Sequence, residues 1–465
     1  MGLFNDFDEV SHQQWTEKII KDLKGKNFNE NLIWNSIEGI AVQPFYNQEN
    51  LINNRSKNYN LNSANRSWEI RGKVEITTIK EGNSNALFLL SRGANAIQFN
   101  GKISSQQDFD ALLSNIEIEI IHLHFYNSNP GQTLSFLSSY CEKRNINMDQ
   151  LKGSVTYDYY GELLLSGNWN TSEKDDLDQL YQLNSIKNSL RTIAINGLYF
   201  NNAGATIIQE LAYSFSQTVE YLDTLTERGI DINTIADKIS FNFGIGSNYF
   251  FEIAKIRAAK ILWELILKEY GVANANTYIH STTSATNYTS FDAHNNILRA
   301  TTEAMSAIIG GSNSITVIPF NVNYENSTDF SERIALNIQH IIKEESFFDK
   351  VNDISNGAYY IESLTDEMVE KSLQLFKEIE QKGGFLTNIK NGFIQESIHL
   401  VAKQKQEEYQ TGKRTLLGVN KHQNKSGFIH STRKQNHSIQ NVILPVLQQI
   451  VFANKIESNI ITANA

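Results

Sequence analysis

Apolar residues near the start of the chain recur at helical spacing (Trp15, Ile19, Ile20 and Leu23). Lys24-Gly25-Lys26 ends that run with a glycine where a C-terminal cap belongs. Residues 32–46 read as extended segments and turns, and residues 47–67 as polar and irregular. So aromatic an arm must pack on its own barrel or on a partner. From Asn85 onward strand-like and helix-like patterns alternate. Strands are predicted at Ala86–Ser91, Ile118–Phe125, Gly153–Asp158, Thr192–Asn196, Lys238–Phe243, Thr277–Ser281 and Ser314–Ile318, with a weaker eighth at Gly357–Ile361. Helices are predicted at Pro130–Arg144, Ala203–Arg228, Ser247–Tyr270, Asn295–Ile309 and Asp329–Glu344.

This alternation predicts an α/β fold, a (β/α)8 TIM barrel over residues 85–365. An N-terminal arm (1–84) precedes it, and C-terminal helices and a tail (366–465) follow. The tail is read as helices at Asp366–Lys382 and Gly392–Gln410, a polar stretch, and a last apolar helix to about Ala453 with Pro445 in its first turn. An open doubly wound sheet is the competing architecture, disfavoured because no Gly-x-Gly-x-x-Gly turn follows the first strand.

Composition narrows the classes. The chain has 465 residues, 40% of them hydrophobic, enough for a large core, and its net charge of −10 offers no basic field for nucleic acid. The basic stretch from Lys403 to Arg414 is broken by Glu407 and Glu408 and reads as a solvated helix end. A single cysteine, Cys141, suits a reducing compartment and a packed helix. The acidic start and the lack of a long apolar run predict neither a secretory signal nor a membrane span, hence a cytoplasmic protein. Only four prolines predict ordinary or modest thermal stability.

One long ordered series of segments is similar to a known family. Arg66-Ser-Trp-Glu-Ile-Arg71, Ile195-Asn-Gly-Leu-Tyr-Phe-Asn-Asn-Ala-Gly-Ala205, Ser240-Phe-Asn-Phe-Gly-Ile-Gly-Ser-Asn248, Gly310-Gly-Ser-Asn313 and Gly357-Ala-Tyr-Tyr-Ile-Glu362 resemble methylmalonyl-CoA mutases. The likeness extends to about Lys421, and Lys21-Asp-Leu-Lys-Gly-Lys26, Trp34 and Glu38-Gly-Ile40 are similar to the small (β) subunits of the bacterial heterodimeric members. Catalytic members use adenosylcobalamin to make a substrate radical in the barrel, and hold it on a C-terminal domain marked Asp-x-His-x-x-Gly. Here the only Asp-x-His, at Asp292-Ala-His294, lacks the glycine and reads as a helix start.

The resemblance also implies a degenerate pocket. Tyr199 stands where the family has a catalytic histidine, Lys73 where it has a radical-steering tyrosine, and Thr282 where it has a glutamine. The arginine that meets the substrate carboxylate has no counterpart in Tyr157-Asp-Tyr-Tyr-Gly-Glu162, where acidic groups repel a carboxylate. The pocket is expected to be filled by Tyr157, Tyr159 and Tyr199. The resemblance therefore implies a non-catalytic small subunit that binds no cofactor or metal and has no C-terminal cobalamin-binding domain. It would support a large (α) subunit in a heterodimer, and adenosylcobalamin would sit in that partner.

Two other readings compete. His124, Asp158 and His280 fall near strand ends and form a candidate acid/base cluster for an independent barrel enzyme. Alternatively the chain is a mutase barrel working with a separate cobalamin-binding chain, against which Tyr199 and Lys73 count directly. His122-Leu-His124 has the spacing for two metal ligands on one strand face, but no third ligand is evident and an ordinary interior role is the stronger expectation.

Overall fold

Short strands of alternating character close on themselves in the computed structural model of the chain, which describes residues 10–51, 67–273, 276–423, 444–450 and 452. An antiparallel pair, β1 (Trp34–Asn35) and β2 (Ala41–Val42), belongs to the arm. The barrel strands are β3 (Glu69–Glu75), β4 (Ala96–Asn100), β5 (His122–Tyr126), β6 (Lys152–Tyr157), β7 (Arg191–Asn196), β8 (Ile239–Ile245), β9 (Ile279–Thr283) and β10 (Ser314–Thr316). All eight are parallel, each paired with the next, and β10 closes on β3.

The first and last strand expectations need correcting. Ala86–Ser91 lies in the helix Ile79–Ser91, capped by the Thr78 side chain on the Glu81 amide. Its Leu87-Phe88-Leu89-Leu90 run is apolar on every side, and such a run does not separate a buried strand from a buried helix. Gly357–Ile361 is a turn leading into the helix Tyr359–Gln381. The two strands missing from the expectation are β3 and β4, so the barrel begins at Glu69, before the boundary placed at residue 85. The boundary placed at 366 falls inside the helix Tyr359–Gln381.

In β3, β4 and β5 apolar side chains alternate with polar ones, the apolar set lying in the core behind the barrel. In β3 the outward residues Ile70 and Val74 are buried, and Gly72 lets the helix behind it approach: a Cβ there would stand 2.8 Å from Leu89 Cδ1. The helices Ile207–Glu227 and Tyr249–Glu269 are buried on most of their circumference because Tyr359–Gln381 packs over both. The predicted helices Pro130–Arg144 and Asn295–Ile309 match Pro130–Arg144 and Asn295–Gly310, and Gly392–Gln410 matches Phe393–Gln410.

Near the C-terminus, residues 444–450 form no regular structure, which corrects the start of the helix expected at Pro445, although Phe452 near its expected end is helical. This strap donates backbone bonds from Leu444 to Gly167 O (3.0 Å), from Leu447 to Leu164 O (2.9 Å) and from Ile450 to Asn202 O (2.7 Å). The arm starts with the helix His12–Asp22, closed by a capping box at Ser11, and Gly25 follows with φ +90°. Across residues 10–40 only Ile40 is buried. Arg66, the N-terminal residues 1–9 and the polar stretch 424–443 lie outside the described residues. Among the described residues no helix is long and apolar enough to cross a membrane.

Candidate functional site

A (β/α)8 barrel presents its chemistry at the C-terminal ends of its strands. There β5 ends in Tyr126, while short helices after β6 (Tyr159–Ser166) and β7 (Gly197–Asn202) carry Glu162 and Tyr199 to the same point. Tyr126 and Tyr199 both donate to Glu162 Oε1 at 2.6 Å, and their hydroxyls lie 3.1 Å apart. Burial above all, reinforced by the Glu162 charge, raises both phenols well above their ordinary pKa, so they stay protonated. Tyr157 packs beside them, 5.8 Å from Tyr126 and edge-on to the buried Tyr159 at 4.9 Å. The carbonyl of Tyr199 accepts from Gln449 of the strap at 3.0 Å, so its helix is fixed from both sides.

The mouth continues as an amide and hydroxyl chain. Asn196 Nδ2 reaches Tyr126, Asn242 Nδ2 donates to Asn196 Oδ1 (3.0 Å), and Thr282 donates to Asn242 Oδ1 (3.1 Å). Lys73 stands at the rim with 47% of its side chain exposed, paired with Glu75 at 2.9 Å. Thus Tyr199 and Thr282 belong to one network, and Lys73 faces solvent.

Toward the N-terminal ends of the strands the side chains form a charged knot. Glu69 accepts from His122 Nδ1 (2.8 Å), Arg71 (3.2 Å) and Tyr278 (2.7 Å), and pairs with His124 Nε2 (3.1 Å). Burial opposes its charge, yet the hydrogen bonds from both histidines and the Arg71 guanidinium hold its carboxyl well below the usual range. Arg191 lies 4.0 Å over the Tyr278 ring. His124 Nδ1 bonds Ser154 (2.9 Å), while burial and Arg71 lower its pKa to about 4. His280 bonds Ser314 (3.1 Å) and Thr282 (3.3 Å), and is held neutral by burial, Arg71 and His124. His124 thus spends both nitrogens on a carboxylate and a hydroxyl and His122 its Nδ1 on the same carboxylate, and among the described residues no group of three or more such side chains is placed to hold a metal.

The expected His124–Asp158–His280 cluster does not assemble. Asp158 is fully buried behind β6, where it accepts from the Gly161 and Asn196 amides, Gln217 and Tyr221. Burial pushes it up to about 6 against those bonds. It caps a helix and anchors Ile207–Glu227 to the barrel. His294 is an exposed residue at the start of Asn295–Gly310, with its ring 5.4 Å from that of Phe320. Cys141 is buried, its thiol pushed up to about 11 chiefly by that burial, and so is inert.

Sequence reasoning missed Tyr126 and the Glu69–Arg71 pair. The alternation Glu69-Ile-Arg-Gly-Lys-Val-Glu75 carried their signal, a strand with charged residues on its inward face.

Comparison with known proteins gives one consistent result. The family model for methylmalonyl-CoA mutase matches residues 99–451. A methylmalonyl-CoA mutase small subunit from Porphyromonas gingivalis is 38% identical over 443 residues, covering 91% of this chain and 71% of that protein. A methylmalonyl-CoA mutase of Rhizobium meliloti is 29% identical over 463 residues, covering 88% and 64%. The mitochondrial methylmalonyl-CoA mutase of Bos taurus is 28% identical over 485 residues, covering 94% and 64%. The chain thus spans less than two thirds of the length of the last two relatives.

Proposed function

The chain belongs to the methylmalonyl-CoA mutase family, and from that premise we propose that it is a non-catalytic small (β) subunit. It supports a catalytic large (α) subunit in a cytoplasmic heterodimer. The assembled enzyme interconverts methylmalonyl-CoA and succinyl-CoA; adenosylcobalamin is held by the large subunit, and this chain binds none.

The observation that carries this reading is the bond of Tyr199 and Tyr126 to Glu162 (2.6 Å each). A group that stabilises a substrate carbonyl must have a proton free to donate where charge develops. Both phenol protons are already directed at a carboxylate. A substrate carboxylate arriving here would meet the charge of Glu162 instead of a guanidinium. Lys73 is paired with Glu75 and half exposed. Below the mouth, Glu69, Arg71, His124 and Tyr278 are bonded to one another. Positions of this mouth therefore supply neither the proton donor nor the wall that radical rearrangement needs, and no residue among them offers a cobalt ligand.

The partner is supported by the small-subunit name of the Porphyromonas gingivalis relative and by the arm, whose Val10, Ile20, Trp34 and Phe45 are exposed. So much apolar surface on one segment is what an interface supplies. The test is to express the chain alone and with the large subunit of the same genome, and to measure mass by light scattering with turnover on the same fractions. A 1:1 complex with turnover, beside a lone chain inert with added adenosylcobalamin, supports the reading. Turnover by the lone chain, or a chain that ignores the large subunit, sinks it.

A further inference from the structure

Away from the mouth, a cavity of ≈360 Å³ opens where the arm meets the barrel rim, a size that suits a small molecule. One wall is the arm from Trp34 to Glu38. The second is the loop after β8 with the turn Ala285–Asn287, and the third is the end of the helix Phe393–Gln410 with the residues that follow it. Each wall offers a different contact. Trp34 packs on Phe251 at 5.6 Å yet stays 51% exposed, which leaves indole surface bare. Asn287 is only 6% exposed. It donates its amide nitrogen to Glu303 Oε1 at 3.1 Å, while its Oδ1 has no hydrogen-bond partner among the described residues. A buried acceptor left without a donor is costly, so this oxygen calls for a donor from the cavity that Asn287 lines. Beside it, Asn248 opens the 21-residue helix Tyr249–Glu269 with no side-chain cap, which leaves the first-turn amides uncapped.

Charge in the walls is unevenly committed. Glu38 accepts the Ile208 amide at 3.2 Å, and Glu252 accepts the Gly246 amide at 2.9 Å and pairs with Lys255 at 2.6 Å. Glu408 takes two bonds from Arg414, at 3.0 and 3.1 Å, and Lys405 donates to the Ala205 carbonyl at 2.7 Å. Lys413 is held loosely by contrast: it is 76% exposed and stands 3.6 Å from Glu408, so its ammonium is able to turn onto a ligand.

We propose that this cavity binds a small hydroxylated anion. Its charge is met by the amides that start the helix Tyr249–Glu269 and by Lys413, a hydroxyl donates to Asn287 Oδ1, and its carbon skeleton lies against Trp34. An anion is favoured at that helix start by the dipole and by the uncapped amides together. One molecule of this kind meets all three needs at once, whereas water would serve the polar groups and leave the indole wetted. Because the arm supplies a wall, occupancy also holds the arm on the barrel. The site is built by this chain alone and stands apart from the small-subunit reading.

The experiment titrates the intact chain with glycerol 3-phosphate by calorimetry, and in a second arm with glycerate; glycerol and inorganic phosphate are run as the separate halves. Saturable binding with a Kd of about 1 mM or tighter is expected in at least one arm, with glycerol and inorganic phosphate each weaker by about tenfold or more. Lys413→Glu, at an exposed position, should weaken that binding by about fivefold. Hydrogen exchange, followed by mass spectrometry, should slow in residues 33–40 at saturation and stay unchanged in Pro130–Arg144. Binding in the first arm alone assigns a phosphate, in the second alone a carboxylate, and in both a charge that either group supplies. The proposal is overturned by the absence of saturable heat in both arms, or by inorganic phosphate binding as tightly as glycerol 3-phosphate. Unchanged affinity in Lys413→Glu, or exchange in residues 33–40 that ignores the ligand, overturns it equally.

Discussion

Tyr199 and Glu162 are informative because each removes what the other might have done: the phenol has no free proton to offer, and the carboxylate is shielded by two donors. His124 and His280 are likewise settled by burial, which keeps both neutral. For His124 the folded pKa of about 4 lies below the unfolded value near 6.5, so the unfolded chain binds the extra proton first. Its contribution is present above about pH 6.5 and lost as pH falls toward 4. Asp158, raised to about 6, acts in the opposite direction, so the two are separated by comparison with a variant. Relative to wild type, His124→Asn should gain about 2–3 kcal/mol of unfolding free energy between pH 7 and pH 4.5, read by urea titration. A parallel pair of curves would show that His124 is protonated in the folded protein.

At the scale of elements, most of the barrel was legible. β6 and β7 and the long helices after β5, β7 and β8 carry the periodicities their environments demand, apolar outward for strands and one wide apolar face for helices. What escaped was β4 together with β3, the latter because Arg71 and Glu69 put charge where a barrel interior is ordinarily branched and apolar, and the helix Ile79–Ser91, whose apolar run imitates a buried strand. The site was half legible for the same reason. Tyr199 and Thr282 could be found by matching segments, whereas Tyr126 and Glu69 act through contacts 36 to 209 residues apart that no local pattern records. The tight crossing at Gly72 gives this level its own test. Gly72→Val should cost about 1–3 kcal/mol in chemical denaturation by pushing the helix Ile79–Ser91 off β3, and a neutral result would mean that Leu89 yields freely. The strap gives another. Gln449→Ala should raise amide exchange in Gly197–Asn202, seen by mass spectrometry, and leave Pro130–Arg144 unchanged; equal exchange in both would show that the strap does not hold the Tyr199 helix.

As a whole molecule the chain keeps a closed barrel whose mouth side chains Tyr126, Tyr199 and Glu162 are bonded to one another, and it carries an arm of which residues 10–40 bury only Ile40. On the function proposed above, the work of this chain lies at a surface and not in its bore. The central claim is that the bore takes no part in turnover. The direct measurement is kcat and KM of the assembled complex carrying Tyr199→Phe and Glu162→Gln together in this chain, with complex mass checked by light scattering. The account predicts values within about twofold of wild type, since no transition-state contact is removed. A fall in kcat of tenfold or more in a complex of unchanged mass would contradict it and return the mouth to the catalytic machinery.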